Sequence, residues 1–90
     1  MNIAIDWDGT YTKDKDLFNR IIYLAVMNGH KVFLVSERDL TKENLETVQH
    51  KHCKTFLTGS MGKAEYLNRN GVSIDIWMDD KPITITKGIR

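Results

Sequence analysis

The sequence predicts an α/β protein of three layers, helices covering both faces of a mostly parallel sheet of about five strands. Three observations carry that expectation. Short apolar runs alternate with helical patterns along the chain, in the order β-α-β-α-β-α-β-β. Such alternation implies crossover helices and parallel strands, with right-handed connections. The 90 residues also fit one domain, 1–90, without a repeat, low-complexity stretch or long linker.

The elements follow in order. Asn2 to Trp7 reads as a strand ending in acidic and glycine residues. Leu17, Phe18, Ile21, Ile22, Ala25 and Val26 recur at spacings of three and four, which predicts a helix with one buried face, stopped by Asn28-Gly29. Lys31 to Val35 is a nearly continuous apolar strand. A second helix is expected from about Leu40 to His50, capped by Asp39 or Thr41, with Leu45 and Val48 facing inward. Thr55-Phe56-Leu57 is a short strand. Gly59-Ser60 opens a third helix carrying Ala64, Tyr66 and Leu67, which Gly71 closes. Ile74 to Met78 is a fourth strand. The alternation Ile83-Thr84-Ile85-Thr86 after Pro82 predicts a fifth at an edge. The whole is a Rossmann-like pattern.

Composition removes several classes of function. With 13 Lys and Arg against 12 Asp and Glu the net charge is +1, which argues for neither a nucleic-acid coat nor a membrane-surface mode. The single cysteine, Cys53, excludes an intrachain disulfide. No run approaches the roughly 18 apolar residues of a spanning helix, and no signal-peptide pattern opens the chain; a cytoplasmic protein without a membrane partner is expected. A chain this short buries only about 60–65% of its unfolded surface, so a homo-oligomer is a reasonable expectation.

Open parallel sheets bind ligands beyond the carboxyl ends of their strands. The first strand delivers Asp6, Asp8, Gly9 and Thr10 to that edge, the second Ser36 and Arg38, the fourth Asp79 and Asp80, and Lys63 starts the helix before it. Several carboxylates at one site repel each other unless a cation is present, and hard oxygen ligands suit Mg²⁺. Period-two geometry sends the Asp6 and Asp8 carboxylates to one side and Trp7 to the other. One carboxylate can then act as nucleophile while the other, raised by the like charge, moves a proton. Gly9 lets backbone amides approach an anion. Lys63 and the Ser36 hydroxyl suit the equatorial oxygens of a phosphoryl group.

Ile3-Ala4-Ile5-Asp6-Trp7-Asp8-Gly9-Thr10-Tyr11-Thr12 resembles the first motif of the haloacid dehalogenase superfamily, whose phosphatases carry hydrophobic residues followed by D-x-D-G-T. Ser36 after Val32-Phe33-Leu34-Val35 resembles the second motif, Lys63 the third, and Ile76-Trp77-Met78-Asp79-Asp80 the fourth. The resemblance implies a minimal core that hydrolyses a phosphate monoester through an aspartyl-phosphate. Asp6 would be the nucleophile and Asp8 the general acid and base. Mg²⁺ would be held by Asp6, the Asp8 carbonyl and the pair Asp79/Asp80, with either of that pair as the direct ligand. Ser36 and Lys63 would bind the phosphoryl group. Only Tyr11 to Asp16 separates the first motif from the helix, so no cap domain is present. A large substrate or a neighbouring subunit would then cover the site, or the enzyme would be slow and permissive. Asp79-Asp80-Lys81-Pro82 resembles the acidic motif of some deoxyribonucleotidase relatives, which favours a nucleotide-type substrate. Small phosphorylated molecules and nucleic-acid or protein phosphate ends are also compatible.

Other readings carry less weight. A phosphate-binding or regulatory module with little turnover is the alternative to an enzyme, and transfer to an alcohol the alternative to hydrolysis. Arg38 is as well suited to a surface ion pair with Glu37, Asp39 or Glu43 as to gripping substrate. Gly59-Ser60-Met61-Gly62-Lys63 lacks the first glycine and the final Ser or Thr of a P-loop. His50, His52 and Cys53 fit no common zinc spacing, and Trp7 and Trp77 read as core.

Overall fold

The computed structural model describes residues 1–87. Strands β1 (Asn2–Asp6), β2 (Lys31–Ser36), β3 (Lys54–Leu57) and β4 (Ile76–Met78) form one parallel sheet in the order β3-β2-β1-β4. Helix α1 (Lys15–Met27) joins β1 to β2, α2 (Lys42–Thr47) joins β2 to β3, and α3 (Lys63–Arg69) joins β3 to β4. A short helix α4 (Ile83–Thr86) follows β4, and a 3₁₀ turn, Tyr11–Lys13, leads into α1.

The period of two along each strand divides the interior into two cores. Ile3, Ile5, Trp7, Val32, Leu34 and Leu57 pack on one face with Tyr11, Ile22 of α1 and Val48. Ala4, Phe33, Val35 and Phe56 pack on the other with Leu67 of α3. Both faces of β1 and β2 are therefore covered, which is why these strands read as apolar runs rather than as an alternation. Full burial of each Ile or Leu contributes roughly 1.5–3 kcal/mol, so these two small cores supply most of the stabilisation in so short a chain. The chain turns back at β1: β2 and β3 extend the sheet one way and β4 the other. In such sheets the crevice at the reversal is where ligands bind.

Asp14 caps α1, its side chain accepting from Leu17 N at 3.0 Å. Gly29, at φ +83°, makes the left-handed turn that ends the helix. Its buried face is narrower than the periodicity predicts. Ile22 is its buried centre, with Phe18 and Ala25 beside it, whereas Leu17 and Val26 are about half exposed. Leu17 lies about 140° round the helix from Ile22. Thr41, not Asp39, caps α2, accepting from Asn44 N at 3.1 Å. That helix is only six residues long; Val48 is buried just beyond it, but Leu45 faces solvent rather than inward.

The expected fifth strand does not form, and the sheet has four strands instead of about five. Residues 83–86 are helix α4, with Thr84 N donating to Lys81 O and Ile85 N to Pro82 O, both at 3.0 Å. Pro82 at φ −56° presets this turn. Four alternating residues are too few for period two to outweigh a local hydrogen-bonded turn. Consequently Ile83 is 76% exposed and Thr84 points inward.

Candidate active site at the carboxyl edge of the sheet

β1 ends at Asp6, and the next residue, Trp7, turns into the core, stacked on Tyr11 at 4.8 Å between ring centroids. That anchoring fixes the loop carrying Asp8, Gly9 and Thr10. β4 ends at Met78 and delivers Asp79 and Asp80 beside them, because β1 and β4 are hydrogen-bonded neighbours. Asp6, Asp8, Gly9, Lys63, Asp79 and Asp80 line one pocket of about 250 Å³ with Glu37, Lys81 and Thr84.

Lys63 is the hub of this pocket. It begins α3 on the opposite side of the sheet edge and is only 1% exposed. Its Nζ donates to Asp6 Oδ1 and to Asp79 Oδ2, each at 2.6 Å. Burial alone would depress the ammonium, but the hydrogen bonds and charges of Asp6 and Asp79 outweigh it and hold Lys63 protonated. Asp79 is tied further: its Oδ1 accepts from Lys81 N at 2.8 Å, and Thr84 Oγ1 lies 3.3 Å from Oδ2.

The remaining acidic oxygens have looser partners. Thr10 Oγ1 reaches Asp6 Oδ2 at 3.1 Å and Asp80 Oδ1 at 3.4 Å. Carboxylate oxygens of Asp6, Asp79 and Asp80 lie within 4.8 Å of one another. Three carboxylates around one ammonium leave an excess of negative charge. Burial, with a hydrogen bond to Asp80 and against the pull of Lys63, raises Asp6 to about 6, while that same hydrogen bond lowers Asp80. An all-oxygen set carrying surplus charge suits a hard divalent cation; it does not separate Mg²⁺ from Mn²⁺ or Ca²⁺.

Gly9 is required here. Its φ is +84°, and a Cβ added to it would sit 2.6 Å from Asp80 Oδ2. Gly9→Ala therefore meets both a backbone penalty and a displaced carboxylate. The expected result is a loss of about 1–3 kcal/mol in stability. Urea unfolding checks this, and an unchanged midpoint would mean that position 9 accommodates a Cβ.

Asp8 lies apart from this cluster. Arg38 grips it with both arms of the guanidinium, Nε to Oδ2 at 2.9 Å and Nη2 to Oδ1 at 2.8 Å. The Arg38 hydrogen bonds hold the Asp8 carboxyl below its usual range. The expectation that the like charge of Asp6 raises Asp8 is thus reversed: Asp6 is raised by burial and Asp8 is lowered by Arg38. Ser36 is wholly buried, its Oγ accepting from Arg38 N at 3.1 Å and lying 3.5 Å from Asp8 Oδ2. Neither Ser36 nor Arg38 borders the acidic pocket.

Thr84 and Glu37 line the pocket without having been singled out from the sequence, and Lys81 joins them from the Asp79-Asp80-Lys81-Pro82 motif. Thr84 is hidden by the strand-like pattern around it, and Pro82 as a helix start was the available signal. Glu37 pairs with Lys87 at 2.8 Å on the pocket's rim. His50 is held by Asn19, 2.7 Å from its Nε2, and Cys53 is pushed up to about 11 by burial. Among the described residues Asp6, Asp79 and Asp80 are the only cluster close enough together that it could hold a metal ion.

Fold and site together define a small parallel α/β protein with a lysine-bridged acidic pocket at the carboxyl edge of its sheet. The chain matches no protein-family model, no curated protein and no solved structure. Among the described residues no helix is long and apolar enough to cross a membrane.

Proposed function

We propose that this chain is a small haloacid dehalogenase-like phosphatase that hydrolyses a phosphate monoester at Asp6 with the help of Mg²⁺. The observation that carries the reading is the convergence of Asp6, Lys63, Asp79 and Asp80 on one pocket, with Asp8 and Gly9 at its border. A pure phosphate site has no use for three carboxylates, which repel the anion, whereas a nucleophile with a cation site uses all of them.

In this reading Asp6 Oδ attacks phosphorus, the ester P–O bond breaks, and the leaving oxygen takes a proton that the Asp8 carboxylate has first drawn from solvent. The Asp8 carboxylate then takes a proton from water as that water attacks the aspartyl-phosphate, releasing phosphate and regenerating Asp6. Lys63 Nζ, already on Asp6, is placed to meet the phosphoryl oxygens. The cation would be held by Asp6 and Asp80, whose outer oxygens meet each other and the Thr10 hydroxyl, while Asp79 fixes Lys63. When bound, it would neutralise the carboxylates and the phosphate dianion together.

The test is release of inorganic phosphate from a panel of monoesters. Turnover is expected with Mg²⁺, is silenced by EDTA and returns on adding Mg²⁺. Release that survives EDTA contradicts the cation assignment, and an alcohol added as acceptor separates transfer from hydrolysis. One observation favours the second reading, a phosphate-binding module: Arg38 occupies both oxygens of Asp8. Phosphate binding without release from any substrate on the panel would select it.

A further inference from the structure

Helix α1 packs on the sheet through Ile22, Phe18 and Ala25, yet five of its large apolar side chains stay open to solvent. Leu17, Tyr23, Leu24, Val26 and Met27 are each between 45% and 67% exposed. A helix that meets only its own core needs one apolar stripe and a polar outer face. The outer face of α1 carries a second pattern. Asp16, Arg20, Tyr23 and Met27 follow at intervals of four, three and four, the seam spacing of helices that pair side by side. At 100° per residue these four lie within about 60° of one another, on the side turned away from the core. Leu17 and Leu24 flank the seam on one edge, Asn19 and Val26 on the other. The apolar patch comes to several hundred Å², the size that marks an interaction surface. With Arg20, Asn19 and Lys51 at its border it approaches the roughly 800 Å² that each subunit gives to a standard interface.

We infer that this face binds a second copy of the chain, the two α1 helices packing antiparallel about a twofold axis between residues 21 and 22. A twofold interface must be self-complementary, and this pattern is. Antiparallel pairing sets Arg20 opposite Tyr23 of the second copy and the reverse, so that two guanidinium–ring contacts form at the centre. Asp16, Asn19, Arg20, Tyr23 and Leu24 border a hollow of about 380 Å³ that receives the ring. On one edge Leu17 and Leu24 lie against Leu24 and Leu17 of the second copy. Asp16 faces the end of the second copy where Lys51 and His52 share a groove with Met27, so acid meets base at both ends. A parallel pair in register would instead set Arg20 on Arg20 and Asp16 on Asp16. Within one chain the Asp16–Arg20 bridge, 3.2 Å long and largely exposed, contributes little by itself. None of these residues borders the acidic pocket, so the inference is independent of the phosphatase reading.

The experiment is sedimentation equilibrium of the full chain over a range of concentrations. The wild type is expected to reach twice the mass of one chain, with a dissociation constant in the micromolar range, and its melting temperature should rise with concentration. Leu24→Glu sets two carboxylates against the apolar edge and is expected to weaken the dimer by at least about tenfold. Residue 24 is 60% exposed and lies four positions after Arg20, so the new carboxylate gains a partner on its own helix and the fold is kept. Met27→Glu, placed opposite Asp16 of the second copy, repeats the test. A single-chain mass at every concentration overturns the inference and leaves the face to a partner of another kind. A dimer that both variants leave equally tight uses another surface and overturns it as well. Orientation is read by oxidising an equal mixture of Asp16→Cys and Met27→Cys chains, each also carrying Cys53→Ser. A disulfide between unlike chains is expected, and its absence from a dimer overturns the antiparallel arrangement.

Discussion

Asp6→Asn is expected to remove turnover by about three orders of magnitude or more, because the amide cannot form an acyl phosphate. The fold should survive. The side chain keeps its shape, its carbonyl oxygen can still accept from Lys63 Nζ, and one of three crowded carboxylates is gone. Stability against pH provides the internal control. In the folded protein Asp6 titrates at about 6, above its usual 3.8, so the folded state binds this proton more tightly than the unfolded chain does. Metal-free stability due to Asp6 therefore falls as pH rises from about 4 to about 6 and is level above that. His50, lowered by burial, works in the opposite direction near its own range, so the quantity to read is the difference between wild type and Asp6→Asn. Thermal melting in EDTA at pH 4.5 and pH 7 should show the variant gaining on the wild type at the higher pH. A variant that folds normally and turns over like the wild type would remove Asp6 as nucleophile.

Lys63→Met carries the largest expected loss of stability. The methionine fills the space, but Asp6 Oδ1 and Asp79 Oδ2, each 2.6 Å from Nζ, are left facing each other without a cation. Stranding buried charge in this way costs about 3–5 kcal/mol, against a total near the low end of the 5–15 kcal/mol range for a domain this small. Urea unfolding in EDTA should find the variant largely unfolded at 37 °C. Mg²⁺ should restore part of the loss by replacing the missing charge. Adding Asp79→Asn to Lys63→Met should restore most of it, since the surviving Asp6 can take a proton. An unchanged urea midpoint for the single variant would mean that Lys63 does not hold the site together. The two variants thus test two proposed duties of one pocket, chemistry at Asp6 and the integrity of the pocket at Lys63.

Much of this arrangement was legible before any coordinates. Continuous apolar runs such as Lys31 to Val35 can only be strands covered on both sides, and the 3.6 period of residues 17–26 marks α1. Those local patterns fix the order of elements, and the order of elements brings the ends of β1 and β4 together with Asp6, Asp79 and Asp80. Period two and helical periodicity are properties of the chain itself, so the sequence by itself determined the parallel α/β fold and which residues meet at its edge.

Only the tertiary structure decided how those residues share their partners. Residues 83–86 have a strand's alternation, yet the turn set by Pro82 makes them α4, and this is what turns Thr84 toward Asp79. The sequence brings Lys63 to the sheet edge as a phosphoryl-binding residue, but only the packing of α3 buries it there between two carboxylates. Arg38 and Asp8 are thirty positions apart, and nothing local foretells their two hydrogen bonds. Periodicity records which side of an element is apolar. Ion pairs and pKa shifts instead depend on distances and burial between segments remote in sequence, and those quantities exist only once the chain has folded.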